Sequence, residues 1–146
     1  MIERCRFPVI VGVHGSCIGG AIDLIAACDV VYCTDNAKFA IKEIDLSIIA
    51  DIGTLNRLPV ITNNWGLMKE LALTGRDFDA PTAKELGIIS RYFSSLEEMH
   101  QELRKISKSM SEKSPVALLG TKRVLNYVRS KQVEEGLEFV KNYNMS

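Results

Sequence analysis

In this 146-residue chain, Gly20, Asp23, Glu43 and Asp51 have the types and spacing that could move protons beside a stabilised anion. The pair Gly19-Gly20 stands where an apolar strand gives way to an apolar helix, in HGSCIGGAIDLIAACD from His14 to Asp29. A helix starting there leaves backbone N–H groups without helical acceptors, and such donors stabilise a developing negative oxygen, for example a thioester enolate. Asp23 falls in the first turn, at the rim of the same pocket. The alternative is that Asp23 only complements the helix dipole and the glycines only permit a turn. Glu43 follows an apolar strand in AIKEIDLSIIAD, and Asp51 lies beyond it in IIADIG. Acids among apolar neighbours suit proton carriers near neutral pH. Asp45 would share Glu43's face in an extended segment, so alternation does not separate the two. For each acid alone, a solvated loop residue is the alternative.

Other chemistries find less support. His14 ends a strand and precedes a glycine, as a hydrogen-bonded structural histidine does, and His100 lies in a charged, exposed helix. Gly15 to Gly20 has neither the dinucleotide-binding spacing nor the phosphate-loop Gly-Lys-Ser/Thr. Ser16 and Cys17 have no histidine at a triad-like spacing. Lys122, Arg123 and Arg129 sit on an otherwise apolar helix and read as a solvated face, with anion binding as the alternative. Cys5, Cys17, Cys28 and Cys33 lack metal or disulfide spacing and read as buried free thiols, with no metal site. Eighteen basic and eighteen acidic residues cancel, so no global field favours nucleic acid or an anionic membrane. The start, MIERCRFPVIVGV, holds no cleavage-like signal and no apolar run of membrane-spanning length.

The elements that must position the acids are short strands and then helices. PVIVGV (Pro8 to Val13), VVYC (Val30 to Cys33), KFAIKE (Lys38 to Glu43) and IISRYF (Ile88 to Phe93) read as strands. Helices are predicted from about Ala21 to Cys28, in TLNRLPVI up to an interruption at Pro59, and in NWGLMKELALTG up to Gly75. DAPTAKELG carries a cap at Asp79, Pro81 in the first turn and Gly87 after the end. Ser95 and Glu98 have capping-box spacing before a helix to about Met110. Ser114-Pro115 opens another helix to about Tyr127, and a last one fills Gln132 to Asn144. Strands crowd the first third, and so small a parallel sheet leaves edges and a face uncovered. The chain therefore reads as the second half of a larger α/β domain, or as a unit that assembles with copies of itself.

The run from Pro8 to Pro59, PVIVGVHGSCIGGAIDLIAACDVVYCTDNAKFAIKEIDLSIIADIGTLNRLP, resembles the core signature of the crotonase, or enoyl-CoA hydratase/isomerase, superfamily. Within it the likeness is greatest to the Δ3,5-Δ2,4-dienoyl-CoA isomerases of fatty-acid β-oxidation, and it continues through ALTGRDFDAPTAKELGIISRYF and KSPVALLGTKRVL. The resemblance implies an α/β fold: the C-terminal portion of a crotonase-like ββα superhelix, with a partial core over residues 1–93 and a helical oligomerisation region over 94–146. It places an oxyanion-hole amide at Gly20 beside Gly19, and acids at Asp23, Glu43 and Asp51. The third acid favours isomerase over hydratase. The implied substrate is an acyl-CoA thioester, with coenzyme A part of the substrate and no metal or redox cofactor required. The family further implies a homo-oligomer, trimer or hexamer, in mitochondria or peroxisomes. Family members carry an earlier half that supplies the first oxyanion amide, and they continue past Ser146. The expectation is a truncated product of weak or no activity, since one oxyanion donor is worth on the order of 3 kcal/mol. The alternatives are an enoyl-CoA hydratase and a non-catalytic subunit of a crotonase-like oligomer.

Overall fold

The computed structural model describes residues 2–144; Met1, Met145 and Ser146 lie outside it. Its elements run β1 (Ile10–Val13), β2 (Ser16–Ile18), α1 (Gly20–Ala26), β3 (Val30–Thr34), β4 (Lys38–Ala40) and a 3-10 turn (Glu43–Leu46). They continue with α2 (Thr54–Ile61), α3 (Trp65–Thr74), β5 (Phe78–Asp79), α4 (Ala80–Glu85), β6 (Arg91–Phe93), α5 (Leu96–Ser111) and α6 (Pro115–Asn144).

The strands form two small sheets. In the first, β3 is central and parallel to both β1 and β6, with Ile10 opposite Val30 and Tyr32 opposite Arg91. In the second, β4 is central, parallel to β2 and antiparallel to β5. There Phe39 faces Phe78 across the ladder, and their rings stack with centroids 5.6 Å apart, a contact worth about 0.5–1.5 kcal/mol beyond the area it buries. Between the sheets and α1–α4 lies one continuous core that includes Ile22, Phe39, Leu58, Leu71 and Leu86. Helix α5 packs on β1, β3 and β6, adding a second cluster of Tyr32, Phe93 and Met99.

Punctuation in the sequence sets several boundaries. The Asp79 carboxylate accepts from Thr82 N–H and caps α4, and Ser95 accepts from Glu98 N–H and caps α5. Helix α3 stops at a left-handed Gly75. Several expectations need correction, and β1 and β6 begin at Ile10 and Arg91 rather than at Pro8 and Ile88. Strand β4 ends at Ala40, because β2 turns into α1 after Ile18 and leaves residues 41–43 no ladder partner. Helix α2 continues through Pro59 to Ile61. The two C-terminal helices are one, because no proline or glycine breaks the run from Val128 to Lys131.

Two of the three cations that the sequence places on a solvated face of α6, Lys122 and Arg129, are instead bonded to other parts of the fold. Lys122 is only 8% exposed; its ammonium donates to the Asp29 carboxylate (2.6 Å) and to the Phe7 carbonyl (2.8 Å). Asn126 donates to the Glu3 carbonyl and Arg129 to the Ala26 carbonyl. Asp29 also accepts from Val9 N–H, so the segment leading into β1 is tied to both α1 and α6. Arg123 alone of the three cations is exposed.

The thiols differ in a way their sequence context does not reveal. Cys17, Cys28 and Cys33 are buried and Cys5 is exposed. Burial pushes the Cys17 thiol up to about 11. Burial, with smaller contributions from Asp35 and Cys17, pushes Cys33 up to about 12. Only the thiolate alkylates readily, so iodoacetamide at neutral pH is expected to modify Cys5 first and give a single adduct by intact mass. Labelling of Cys17 or Cys33 as fast as Cys5 would contradict this packing.

Candidate functional site

Gly19 and Gly20 divide the work of the turn. Gly19 precedes α1 with φ 56° and ψ −124°, a backbone conformation essentially closed to residues with a side chain. Its N–H donates to the Ala40 carbonyl (2.9 Å), and its own carbonyl accepts from Ile22 N–H (2.7 Å). Gly19 is therefore the hinge that closes β2 onto β4, and its amide is committed to that closure. The Gly20 N–H meets no acceptor among the described residues. The space over Gly20 is open: a Cβ there would have no neighbour within 4 Å. Of the two sequence candidates for an oxyanion amide, the geometry leaves Gly20 as the one free to donate outward.

The same closure brings Glu43 to the glycine turn. Glu43 begins the 3-10 turn after β4, and its Oε1 lies 3.3 Å from where a Cβ on Gly19 would sit. Its Oε2 is buried and has no partner among the described residues. Asp45 is separated from this pocket by the turn. With about three residues per turn, two positions along rotate its side chain away, and it pairs instead with Lys42 (3.4 Å). Lys42 also pairs with Asp77 (3.1 Å), and that hydrogen bond is the chief cause that holds its ammonium above the ordinary lysine value. The strand alternation that left Glu43 and Asp45 equivalent does not apply.

Asp23 is buried, 4% exposed, and is not a rim charge. Its Oδ1 accepts from the backbone N–H of Thr54 at 2.5 Å. Thr54 opens α2, so Asp23 satisfies one of the amides that a helix start leaves unpaired and ties α1 to the beginning of α2. Asp51 lies in the turn three residues earlier and is exposed. The chain neighbours of the three acids, Leu24, Ile44 and Ile52, carry exposed apolar side chains, that of Ile44 lying with Asp45 at Gly75. The structure thus draws Gly20, Asp23 and Glu43 to one end of α1 and ties the Asp51 segment to it through Thr54.

His14 is exposed and hydrogen-bonded at the end of β1. Thr34 Oγ1 donates to the Asn36 side-chain carbonyl (2.5 Å), so His14 Nδ1, 3.0 Å from the same hydroxyl, donates to it. Sequence reasoning missed the Thr54 amide. Its signal was the helix-opening Gly53-Thr54, which needed a buried acceptor. It also missed Glu3 and Arg57, whose side chains meet at 3.1 Å from positions 54 residues apart; no local pattern marks such a pair.

The chain is thus an α/β unit with parallel strands, a glycine turn into a helix and the Glu43 carboxylate beside that turn. The profile of the enoyl-CoA hydratase/isomerase family matches residues 1–144, and the chain belongs to that family. It is 50% identical over 143 residues to the peroxisomal Δ(3,5)-Δ(2,4)-dienoyl-CoA isomerase of Arabidopsis thaliana, covering 98% of this chain and 51% of that protein. It is 46% identical over 146 residues to the mitochondrial enzyme of the same name from Homo sapiens, covering 100% of this chain and 44% of that protein. A crystal structure of an enoyl-CoA hydratase/isomerase from Mycobacterium paratuberculosis superposes with a TM-score of 0.86 at 31% identity, covering 95% of this chain and 54% of the other. The chain spans about half the length of the curated relatives it matches.

The two glycines predict opposite responses. Gly19→Ala is expected to cost about 1–3 kcal/mol for its strained backbone, read by urea denaturation, and to press on Glu43. Gly20→Ala, with open space above it, is expected to stay within about 0.5 kcal/mol of the parent, alanine being the better helix former. Equal losses would contradict this division of roles.

Proposed function

We propose that this chain carries the acidic wall and one oxyanion donor of a dienoyl-CoA isomerase site, converting 3,5-dienoyl-CoA to 2,4-dienoyl-CoA in fatty-acid β-oxidation. The observation that carries the reading is the third acid. Asp51 stands exposed in the turn tied to Asp23, in a chain so similar to proteins named for that reaction.

The Gly20 N–H donates to the thioester oxygen as negative charge develops on it, which acidifies C2. One carboxylate takes the C2 proton, the electron pair shifts through the conjugated system, and the other acid returns a proton at C6. The two ends are too far apart for one fixed carboxylate, so Glu43 serves one and Asp51 the other. The unpartnered, buried Oε2 of Glu43 supports this role, since a buried acceptor without a donor is costly unless a substrate or proton completes it. Asp23 supports the transfer by holding the start of α2.

Coenzyme A is part of the substrate, and the proton transfer needs no metal or redox cofactor. Homo-oligomeric assembly, as trimer or hexamer, agrees with the exposed Val116, Val124, Leu125 and Val128 on α6. No helix among the described residues is long and apolar enough to cross a membrane. A mitochondrial or peroxisomal location follows the names of the similar proteins.

The protein is to be assayed with 3,5-dienoyl-CoA and with 2-enoyl-CoA. Isomerisation without hydration is expected, weak because the chain carries one oxyanion donor, and Glu43→Gln and Asp51→Asn should each lower that kcat further by about 10²–10⁴-fold, the range of general acid–base catalysis. Hydration without isomerisation would overturn the reading in favour of an enoyl-CoA hydratase. Turnover of neither substrate would favour a non-catalytic member of a crotonase-like oligomer.

A further inference from the structure

One largely buried charged cluster takes no direct part in the proposed chemistry yet touches the segment that carries Asp51. Arg57, in the first turn of α2, reaches back along the chain: its Nη1 donates to the Ile52 carbonyl and its Nη2 to the Glu3 carboxylate, both at 3.1 Å. The guanidinium meets Gly53 end-on, and a Cβ there would stand 1.6 Å from Nη1. Gly53 has φ 139°, so both its backbone and the cation above it exclude a side chain. Glu3 is held in turn from α6, whose Arg129 Nε lies 3.7 Å from Glu3 Oε1 and whose Asn126 donates to the Glu3 carbonyl. The Arg57 and Glu3 side chains are 12% and 16% exposed, so their attraction is less screened than that of a surface pair.

Arg57 and Arg129 both face Glu3. Burial lowers the Arg129 pKa, and the nearby Arg57 charge lowers it further against the opposing pull of Glu3. Without the Glu3 carboxylate two guanidiniums would repel across the gap, and Arg57 would leave the Ile52 carbonyl. On the opposite side of the same turn, Thr54 N–H is held by Asp23. The residues immediately after Asp51 are thus gripped twice, and only the Asp23 grip belongs to the acidic site.

We propose that Arg57, oriented by Glu3, is a positioning residue that fixes the turn carrying Asp51. The consequence for turnover rests on the isomerase reading above; the effect on the turn does not. Arg57 and Glu3 touch neither of the atoms between which the proton moves; they act through the Ile52 carbonyl and the Gly53 backbone. Lysine is no substitute, because a single ammonium cannot present the planar fork that spans a carbonyl and a carboxylate.

The test compares Glu3→Gln and Arg57→Lys with the parent by amide hydrogen exchange and by steady-state kinetics. Exchange of the Thr54 and Arg57 amides, bonded to the Asp23 carboxylate and the Gly53 carbonyl, is expected to rise about tenfold or more in both variants while β3 amides stay within about twofold, as for local opening without global loss of stability. On 3,5-dienoyl-CoA, kcat should fall by about 10–100-fold with KM within about threefold, the signature of a misplaced catalytic group. Unchanged exchange of the turn in a folded variant would overturn the proposal, as would a loosened turn with unchanged kcat. If Glu3→Gln fails to fold, Arg57→Lys, which keeps the cation beside Glu3, decides alone. Should the parent protein prove inactive, the isomerase reading falls while the exchange experiment still decides whether Arg57 and Glu3 hold the turn.

Discussion

A carboxylate sealed inside a protein must be satisfied by donors, and Asp23 meets that requirement with the first backbone amide of α2. The bond has consequences in both directions. It fixes α1 against α2, so the core residues Ile22 and Leu58 pack from elements held in register by a polar contact as well as by apolar area. It also means that the loop between the 3-10 turn and α2 ends at a defined point beside the glycine turn. An acid that sequence spacing would place at a pocket rim is instead the post to which part of the pocket is tied.

Much of the fold is written in local signals, and its exceptions share a cause. Asp79, Ser95 with Glu98, and Gly75 set helix boundaries because a cap or a left-handed residue acts within one turn of the chain. Strand β2 escapes notice because three residues, Ser16-Cys17-Ile18, are too few to show alternation; they are a strand because β4 lies beside them. For the same reason KFAIKE reads as extended to Glu43 but bends after Ala40, where the neighbouring strand has already turned away. That bend is what distinguishes Glu43 from Asp45.

The site follows the same division. Gly20, Asp23 and Glu43 could be picked out by residue type; Glu43 reaches the glycine turn, while Asp23 turns to the start of α2. Their individual jobs could not be assigned, because those depend on which amide is already spoken for and which carboxylate has a partner. Gly19 spends its N–H on Ala40 and Asp23 its oxygen on Thr54, while the Glu43 Oε2 and the Gly20 N–H stay unpaired. The buried cations of α6 were misjudged for a related reason: a lysine or arginine on an apolar helix looks solvated until the distant carbonyl or carboxylate it meets is known.

Those distant meetings impose an order on the folding of the chain. Lys122, Asn126 and Arg129 reach partners 93 to 123 residues earlier, and such non-local contacts form late because closing the intervening loop costs entropy before any contact is gained. While the chain is being synthesised, the sheets, α1 and the Asp23 tie can form first. Glu3 gains its second cation and its backbone tether only when the segment around Arg129 emerges. The glycine turn can thus mature early, whereas the Asp51 turn takes its final support from α6, which is made well after it.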